Sequence, residues 1–567
     1  MLPRLRALRR PAAGRRIPRP ACILFVLAPL LLAGCTPAGP GARPGVPGRP
    51  AAPHPGPLGL LHTPAAAGLA QALAGEWQAR WPDLEVVTQA ADDPLAALAE
   101  GAGDLALVPG APGSPPEPGA VVAAWTYSLV AGDYLAPESL AGVAELPAAP
   151  PPGAQPQAVA ASGSPAAAAQ APGAPAPLSF RDLDWGRVLL PVGGVSPTPE
   201  NIASGRYPGS QPFWLVPGPR AGTWSGPVAL GELLAWTGAE ERVLARSGLA
   251  DPGSRPSRPV TLAAVGDVML ARRVGERIRE EGPAYPVALV ADRLAAADIA
   301  LGNLESPIGV RGEPIPGKGI WFRADPAAVE ALTRAGFDVL SVANNHILDY
   351  GLENFAETLA HLEAAGIAAV GGGPDLAAAR RPVIREVAGL RFAFLAYSQF
   401  ADLFWSWEDP FRFAATEDRA GVAPLDEAIL EEDIPRARAE ADVVVVTVHW
   451  GEEYQNVPTP EQVRLARRMV DLGADLVLGH HPHAVQGFEI YRGGFIAYSM
   501  GNFIMDQERL GSITRESMLL EFTWYPGGGR TVRVTPAWIT GYRPAFLEGP
   551  EAEAALKKLA EISAAIR

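Results

Sequence analysis

At 567 residues the chain is too long for one core, and its 48% hydrophobic and 19% charged content makes most of it globular. A formal charge of -14 repels nucleic acid and anionic headgroups at long range, which excludes a nucleic-acid-binding surface. Two cysteines, Cys22 and Cys35, exclude a disulfide framework and a cysteine-based zinc site.

The chain opens with a basic stretch from Arg4 to Arg19. An apolar stretch from Ala21 to Leu32 follows, too short for a comfortable membrane span. Leu32-Ala33-Gly34-Cys35 comes next and resembles a bacterial lipobox. That resemblance implies a signal peptide over residues 1–34, cleavage after Gly34 and acylation of Cys35. The expected location is extracytoplasmic, lipid-anchored to the bacterial cell membrane. Residues 35–56 are rich in Pro and Gly and read as a linker.

Residues 57–248 read as a smaller α/β domain. Leu69, Leu73 and Trp77 share one face of a helix. Strands are expected at 84–88, 104–108, 188–192 and 213–216. Helices are expected from Thr198-Pro199-Glu200 and over 229–238. Residues 147–177 lose all periodicity in a run of Ala, Pro and Gly, a low-complexity insertion. The segments Gly193 to Pro208 and Gly103 to Val108 resemble the phosphate-binding-protein branch of the periplasmic solute-binding proteins. The resemblance implies anion capture by a hydroxyl-rich loop at a helix start. Here that loop is Leu61-His62-Thr63-Pro64-Ala65, which keeps one hydroxyl.

After a Pro-rich linker, residues 258–545 alternate apolar runs with helical patterns. Strands are expected at 261–266, 299–302, 338–342, 391–397, 442–449, 475–479 and 494–500. Helices are expected at 285–297, 326–336 and 352–366, antiparallel strands over 517–540, and a final helix over 550–566, within the C-terminal segment 546–567. Such alternation means α/β layers, and the unbroken Val443 to Val448 run is typical of a strand covered on both faces.

Polar residues cluster where these runs end. They are Asp267; Asn303 and Glu305; Asn344, Asn345 and His346; His449; and His480, His481 and His483. Carboxylate, imidazole and amide oxygen are ligands of hard and borderline divalent metals, and sites in α/β sheets form at strand ends. Asn303 reads as a ligand or as support for one. His346 is free to face a substrate, and Asp349, three residues on, is placed to orient it. His480 ranks below its two neighbours, and Asn502 closes the edge of the site.

The motifs Gly266-Asp267-Val-Met-Leu, Gly302-Asn303-Leu-Glu305-Ser-Pro, Asn344-Asn345-His346-Ile-Leu-Asp349, His449-Trp-Gly-Glu-Glu-Tyr, His481-Pro-His483-Ala-Val-Gln486 and Gly501-Asn502-Phe resemble the CapA family. That family is named for capsule and poly-γ-glutamate synthesis proteins, within the calcineurin-like metallophosphoesterase superfamily. The resemblance spans about 260 to 510. It implies a layered α/β/β/α sandwich holding two divalent ions of the manganese, iron or zinc class. The implied ligands are Asp267, Glu305, Asn345, His449, His481 and His483, with His346 as acid. Two departures stand out. Met269 occupies the position of a superfamily histidine, and Asn303 or Glu305 must replace a bridging aspartate, so phosphatase activity does not follow automatically.

Three functions fit these residues. One is assembly of an extracellular anionic polymer alongside other membrane proteins of polymer synthesis. Another is hydrolysis of small phosphoesters, with the first half capturing phosphate. The third is non-catalytic binding at the cell surface.

Overall fold

The computed structural model describes residues 56–110, 115–126 except 119, short pieces between 131 and 243, and 255–566 apart from 404 and 407–410. The leader, Cys35, the linker and the insertion 147–177 lie outside the described residues, as do Thr198 and the end of the strand expected at 188–192.

The first half is built on one five-stranded sheet. Its strands are β1 (Leu58–His62), β2 (Val86–Ala90), β3 (Leu105–Pro109), β4 (Val121–Thr126) and β5 (Gln211–Pro217), in the order β2-β1-β3-β5-β4. The first three run parallel, and β5 lies antiparallel to both neighbours. Helix α1 (Ala67–Arg80) buries Leu73 and Trp77 against the sheet, with Leu69 at the margin. Thr63 precedes a short 3-10 turn at Pro64–Ala66, and its side chain makes no capping bond there.

The second half stacks two sheets. One contains β6 (Val260–Val268), β7 (Ile299–Leu304), β8 (Val339–Ser341) and β9 (Ala368–Val370), all parallel. The other contains β10 (Val383–Val387), β11 (Leu390–Ser398), β12 (Val443–His449), β13 (Leu476–His480), β14 (Phe488–Tyr491) and β15 (Gly494–Ala497), in the order β10-β11-β12-β13-β15-β14. The chain then returns to the first of the two through β16 (Asn502–Ile504), β17 (Glu516–Trp524), β18 (Arg530–Thr540) and β19 (Arg543–Phe546).

Side-chain alternation explains the layering. Phe392, Phe394, Val443, Val445, Leu476 and Leu478 point into a core shared with Leu262, Leu520 and Phe522 of the facing sheet. Their neighbours Ala393, Leu395, Val444, Val446 and Val477 point the other way. There they meet α2 (Glu427–Glu440) and α3 (Pro460–Asp471) through Leu430, Ile434, Ala466 and Met469. Asp426 caps α2 through bonds from the Ala428 and Ile429 N–H groups. Thr459 and Gln462 form a capping box on α3. Helix α4 (Gly549–Ala564) closes one edge, its Ser563 hydroxyl accepting from the Phe488 N–H at 2.9 Å. The expected α/β layers are therefore present.

Some boundaries differ. The helix expected at 285–297 is a 3-10 turn at Tyr285–Val287 and a short helix at Ala291–Ala295, with Leu289 between them facing solvent. The strand expected at 494–500 stops at Ala497. Gly501, at φ 67, turns the chain into the other sheet. Two helices the sequence analysis did not name, α2 and α3, cover the outer face. No helix among the described residues is long and apolar enough to cross a membrane.

Candidate metal centre

Strand register brings the polar residues to one level. Asp267 pairs with Asn303 across β6–β7 and with Asn502 across β6–β16. In the facing sheet His449 pairs with His480 across β12–β13. Two glycines allow the close approach. A Cβ at Gly266 would lie 1.9 Å from the Gly501 carbonyl oxygen, and one at Gly479 would lie 1.9 Å from that of Tyr498. The glycine before Asp267 and the glycine before His480 are thus packing requirements.

Two groups of side chains converge, and Glu305 belongs to both. Glu305, His449 and His481 form one; Asp267, Glu305 and His483 form the other. Within each, one ligand atom per residue lies within 4.8 Å of the rest. Glu305 Oε1 is 3.5 Å from His449 Nε2 and 3.7 Å from His483 Nε2. Asp267 Oδ2 is 3.4 Å from His483 Nδ1. His449 Nε2 is also 3.2 Å from His481 Nδ1 and 2.9 Å from Asn345 Oδ1. All of these residues are buried.

The decisive feature is Glu305. Both of its carboxylate oxygens are buried and neither has a hydrogen-bond partner among the described residues. A buried ionised carboxylate in that state is costly. Burial, reinforced by the Asp267 charge, pushes its carboxyl well above the usual range. Burial alone would also raise Asp267, but His480 and His483 hold it well below its usual range. Burial would lower His483, yet Glu305 and Asp267 raise it to about 9. Two carboxyl groups thus crowd one imidazole at the point where a cation would offset their charge. Burial pushes His481 down to about 3 and His449 well below the ordinary range, which leaves both imidazoles neutral and able to ligate. The donor set therefore fits divalent cations.

The remaining residues hold this set in place. Asn303 donates to Asp267 Oδ1 at 2.9 Å and accepts from Asn344 at 3.0 Å, so it braces Asp267. Asn344 Oδ1 accepts from the backbone N–H groups of His346 and Ile347. His480 Nδ1 sits 3.2 Å from Asp267 Oδ1, and His480 joins neither converging group. Asn502 Oδ1 lies 2.8 Å from His483 Nδ1 and fixes that ring. The Met269 sulfur accepts the Ala271 N–H, so it is turned to backbone.

His346 Nδ1 is 2.8 Å from Asp349 Oδ2, the pairing expected from their spacing. Burial and the Lys318 charge push His346 well below its ordinary value, and burial raises Asp349 to about 7 against the pull of Lys318. Lys318 is a residue the sequence analysis missed. Its ammonium, 3% exposed, pairs with Asp349, donates to the Asn345 carbonyl and lies 3.1 Å from His346 Nδ1. It sits in a loop between Gly317 and Gly319, where periodicity gives no signal; its only trace is a lone lysine between two glycines. Aromatic rings flank the histidines: Phe322 stacks on His346 at 3.9 Å, and Phe400 lies 4.1 Å from His481.

Two sheets stacked face to face under outer helices, with carboxylates and histidines gathered at strand ends, define a metallophosphoesterase-like α/β protein. The family model described as "Bacterial capsule synthesis protein PGA_cap" matches residues 261–507. The chain is 35% identical over 289 residues to the capsule biosynthesis protein CapA of Bacillus anthracis, covering 50% of this chain and 68% of that one. It is 34% identical over 283 residues to the PGA biosynthesis protein CapA of Bacillus subtilis (strain 168), covering 50% and 72%. It belongs to the CapA family. A solved ABC-type phosphate transport receptor from Vibrio cholerae is 14% identical, covers 33% of this chain and 95% of that one, and has a TM-score of 0.23, too low to carry an argument about the first half.

Proposed function

We propose that this is a lipid-anchored, extracytoplasmic protein that acts in the assembly of a capsule or poly-γ-glutamate polymer through a metal-dependent hydrolase-like site. The names of the relatives support the polymer. The buried carboxylate of Glu305, which has no hydrogen-bond partner among the described residues, supports the metal. We divide the chain into residues 57–248, a domain of 258–545 that carries the site, and a C-terminal segment over 546–567. The acidic surface repels a polyanion, so the site must supply the local positive charge.

In this reading Asp267 and His483 would hold one ion and His449, His481 and Asn345 the other, with Glu305, common to both groups, contributing to each. Bound divalent ions would polarise an ester and activate water. Asp349 orients the His346 ring through Nδ1, which leaves Nε2 outside that pair and available to a substrate oxygen. That dyad also favours a second reading, hydrolysis of small extracellular phosphoesters. Turnover of a chromogenic phosphoester with manganese would select it.

Elemental analysis of the full chain tests the centre. About one to two transition-metal ions per chain are expected from a two-metal template, with a clear loss in His481→Ala. Equal and negligible metal in both proteins would sink the proposal. The anchor is tested by fractionating cells that express Cys35→Ser, which should lose membrane association.

A further inference from the structure

Seven non-glycine residues among those described have a left-handed backbone. Four of them border the candidate centre: Arg272 (φ 51), Tyr454 (φ 62), His481 (φ 94) and His483 (φ 52). Such a conformation persists only where its surroundings over-determine it. The ligand set accounts for the two histidines. It does not account for Arg272 or Tyr454.

Arg272 Nε donates to Asp506 Oδ2 at 3.0 Å, and Nη2 pairs with Oδ1 of the same carboxylate. The fork is fixed on one edge, while Nη1 has no hydrogen-bond partner among the described residues. The guanidinium lies 4.7 Å from the Phe322 ring, and Phe322 stacks on His346. The Tyr454 ring is 6.1 Å from His483 in the same centre. The other cation at the centre, Lys318, is buried and already committed to Asp349 and Asn345. The Arg272 side chain is 36% exposed.

We infer that Arg272 binds the substrate's oxyanion at the edge of the centre, beside Phe322 and His346, through Nη1. The group recognised is a phosphate or a carboxylate, both of which match a planar guanidinium edge. The Asp506 pairing pre-orients the fork, so binding orders little more of the side chain. This inference deepens the proposed function and rests on the same site.

Calorimetric titration of the full chain, manganese-loaded and metal-free, with orthophosphate and with a linear γ-glutamyl tripeptide tests it. The proteins compared are wild type, Arg272→Gln, Arg272→Lys and Arg492→Gln. Arg492 is a matched control: it is also left-handed (φ 45) and pairs with an aspartate, Asp471, at 2.8 Å. Arg272→Gln should weaken binding of at least one anion by about tenfold or more, the size of a lost charged hydrogen bond. Arg272→Lys should fall between, and Arg492→Gln should match wild type, with bound manganese unchanged throughout. Loss confined to phosphate marks a phosphoester substrate; loss confined to the tripeptide marks a polymer carboxylate. The inference is overturned if Arg272→Gln binds both anions as wild type does, if wild type binds neither, or if anion and manganese are lost together. Wild-type protein that takes up no manganese yet binds an anion through Arg272 would remove the metal reading and leave this one standing.

Discussion

Gly266 and Gly501 meet so closely that a single added carbon at position 266 would lie 1.9 Å from the Gly501 carbonyl oxygen. The Asp267 N–H donates to that same oxygen at 3.0 Å. Gly266→Ala must therefore push β6 and β16 apart beside the ligands. Overpacking of this kind costs about 1–3 kcal/mol. A lowered melting temperature and reduced metal content are expected together; a variant that melts and loads like wild type would refute the close packing.

Lys318 and Asp349 are a buried ion pair, 3% and 0% exposed. Removing the cation strands the carboxylate. Lys318→Met should destabilise the fold by about 3–5 kcal/mol, the usual cost of breaking a buried pair. The double variant Lys318→Met/Asp349→Asn should recover part of that loss. Urea unfolding of wild type, Lys318→Met, Asp349→Asn and the double variant measures the coupling, and simple additivity would show that the pair is not coupled.

His480 backs Asp267 without joining either converging group. His480→Ala should keep the metal stoichiometry at saturation but weaken affinity about 10–100-fold, as removal of an outer partner does. Competition with a chelator of known affinity separates this from His481→Ala, in which a ligand itself is lost.

Arg258 Nη2 reaches Asp298 Oδ1 at 2.6 Å, and the Thr261 N–H donates to Oδ2 at 2.8 Å, which ties the start of β6 to the start of β7. Burial would raise the Asp298 carboxyl, but Arg258 and Thr261 hold it below its usual range. The folded value is depressed, so the contribution is complete above the unfolded value of about 3.9 and fades as pH falls through the folded value. The arginine is half exposed, which limits the effect to about 1 kcal/mol or less. Asp298→Asn should lower stability at neutral pH and flatten its decline below pH 4 in thermal melts.

The strand ends were legible because each site residue of the sheets follows an apolar run covered on both faces. Asp267, Asn303 and His449 could be placed from alternation alone. The pairing of His346 with Asp349 followed from their spacing. The places of Lys318 and Arg272 were not legible, and Tyr454 was visible only as the end of the His449-Trp-Gly-Glu-Glu-Tyr motif. Lys318 and Tyr454 sit on loops and Arg272 opens the helix Arg272–Glu281, and Arg272 and Tyr454 depend on left-handed backbone that no periodicity encodes. The division of His481 and His483 between two groups was equally hidden, since it arises from their separate left-handed conformations around Pro482.

Only four residues separate β15 in one sheet from β16 in the other. That short span fastens the two walls of the centre along their shared floor. Glu305 and Asp267 on one wall cannot swing away from His449 on the other while the sheets persist. Ion uptake is then the filling of a standing socket, governed by access through the loops, and the chain should load and release ions reversibly without melting.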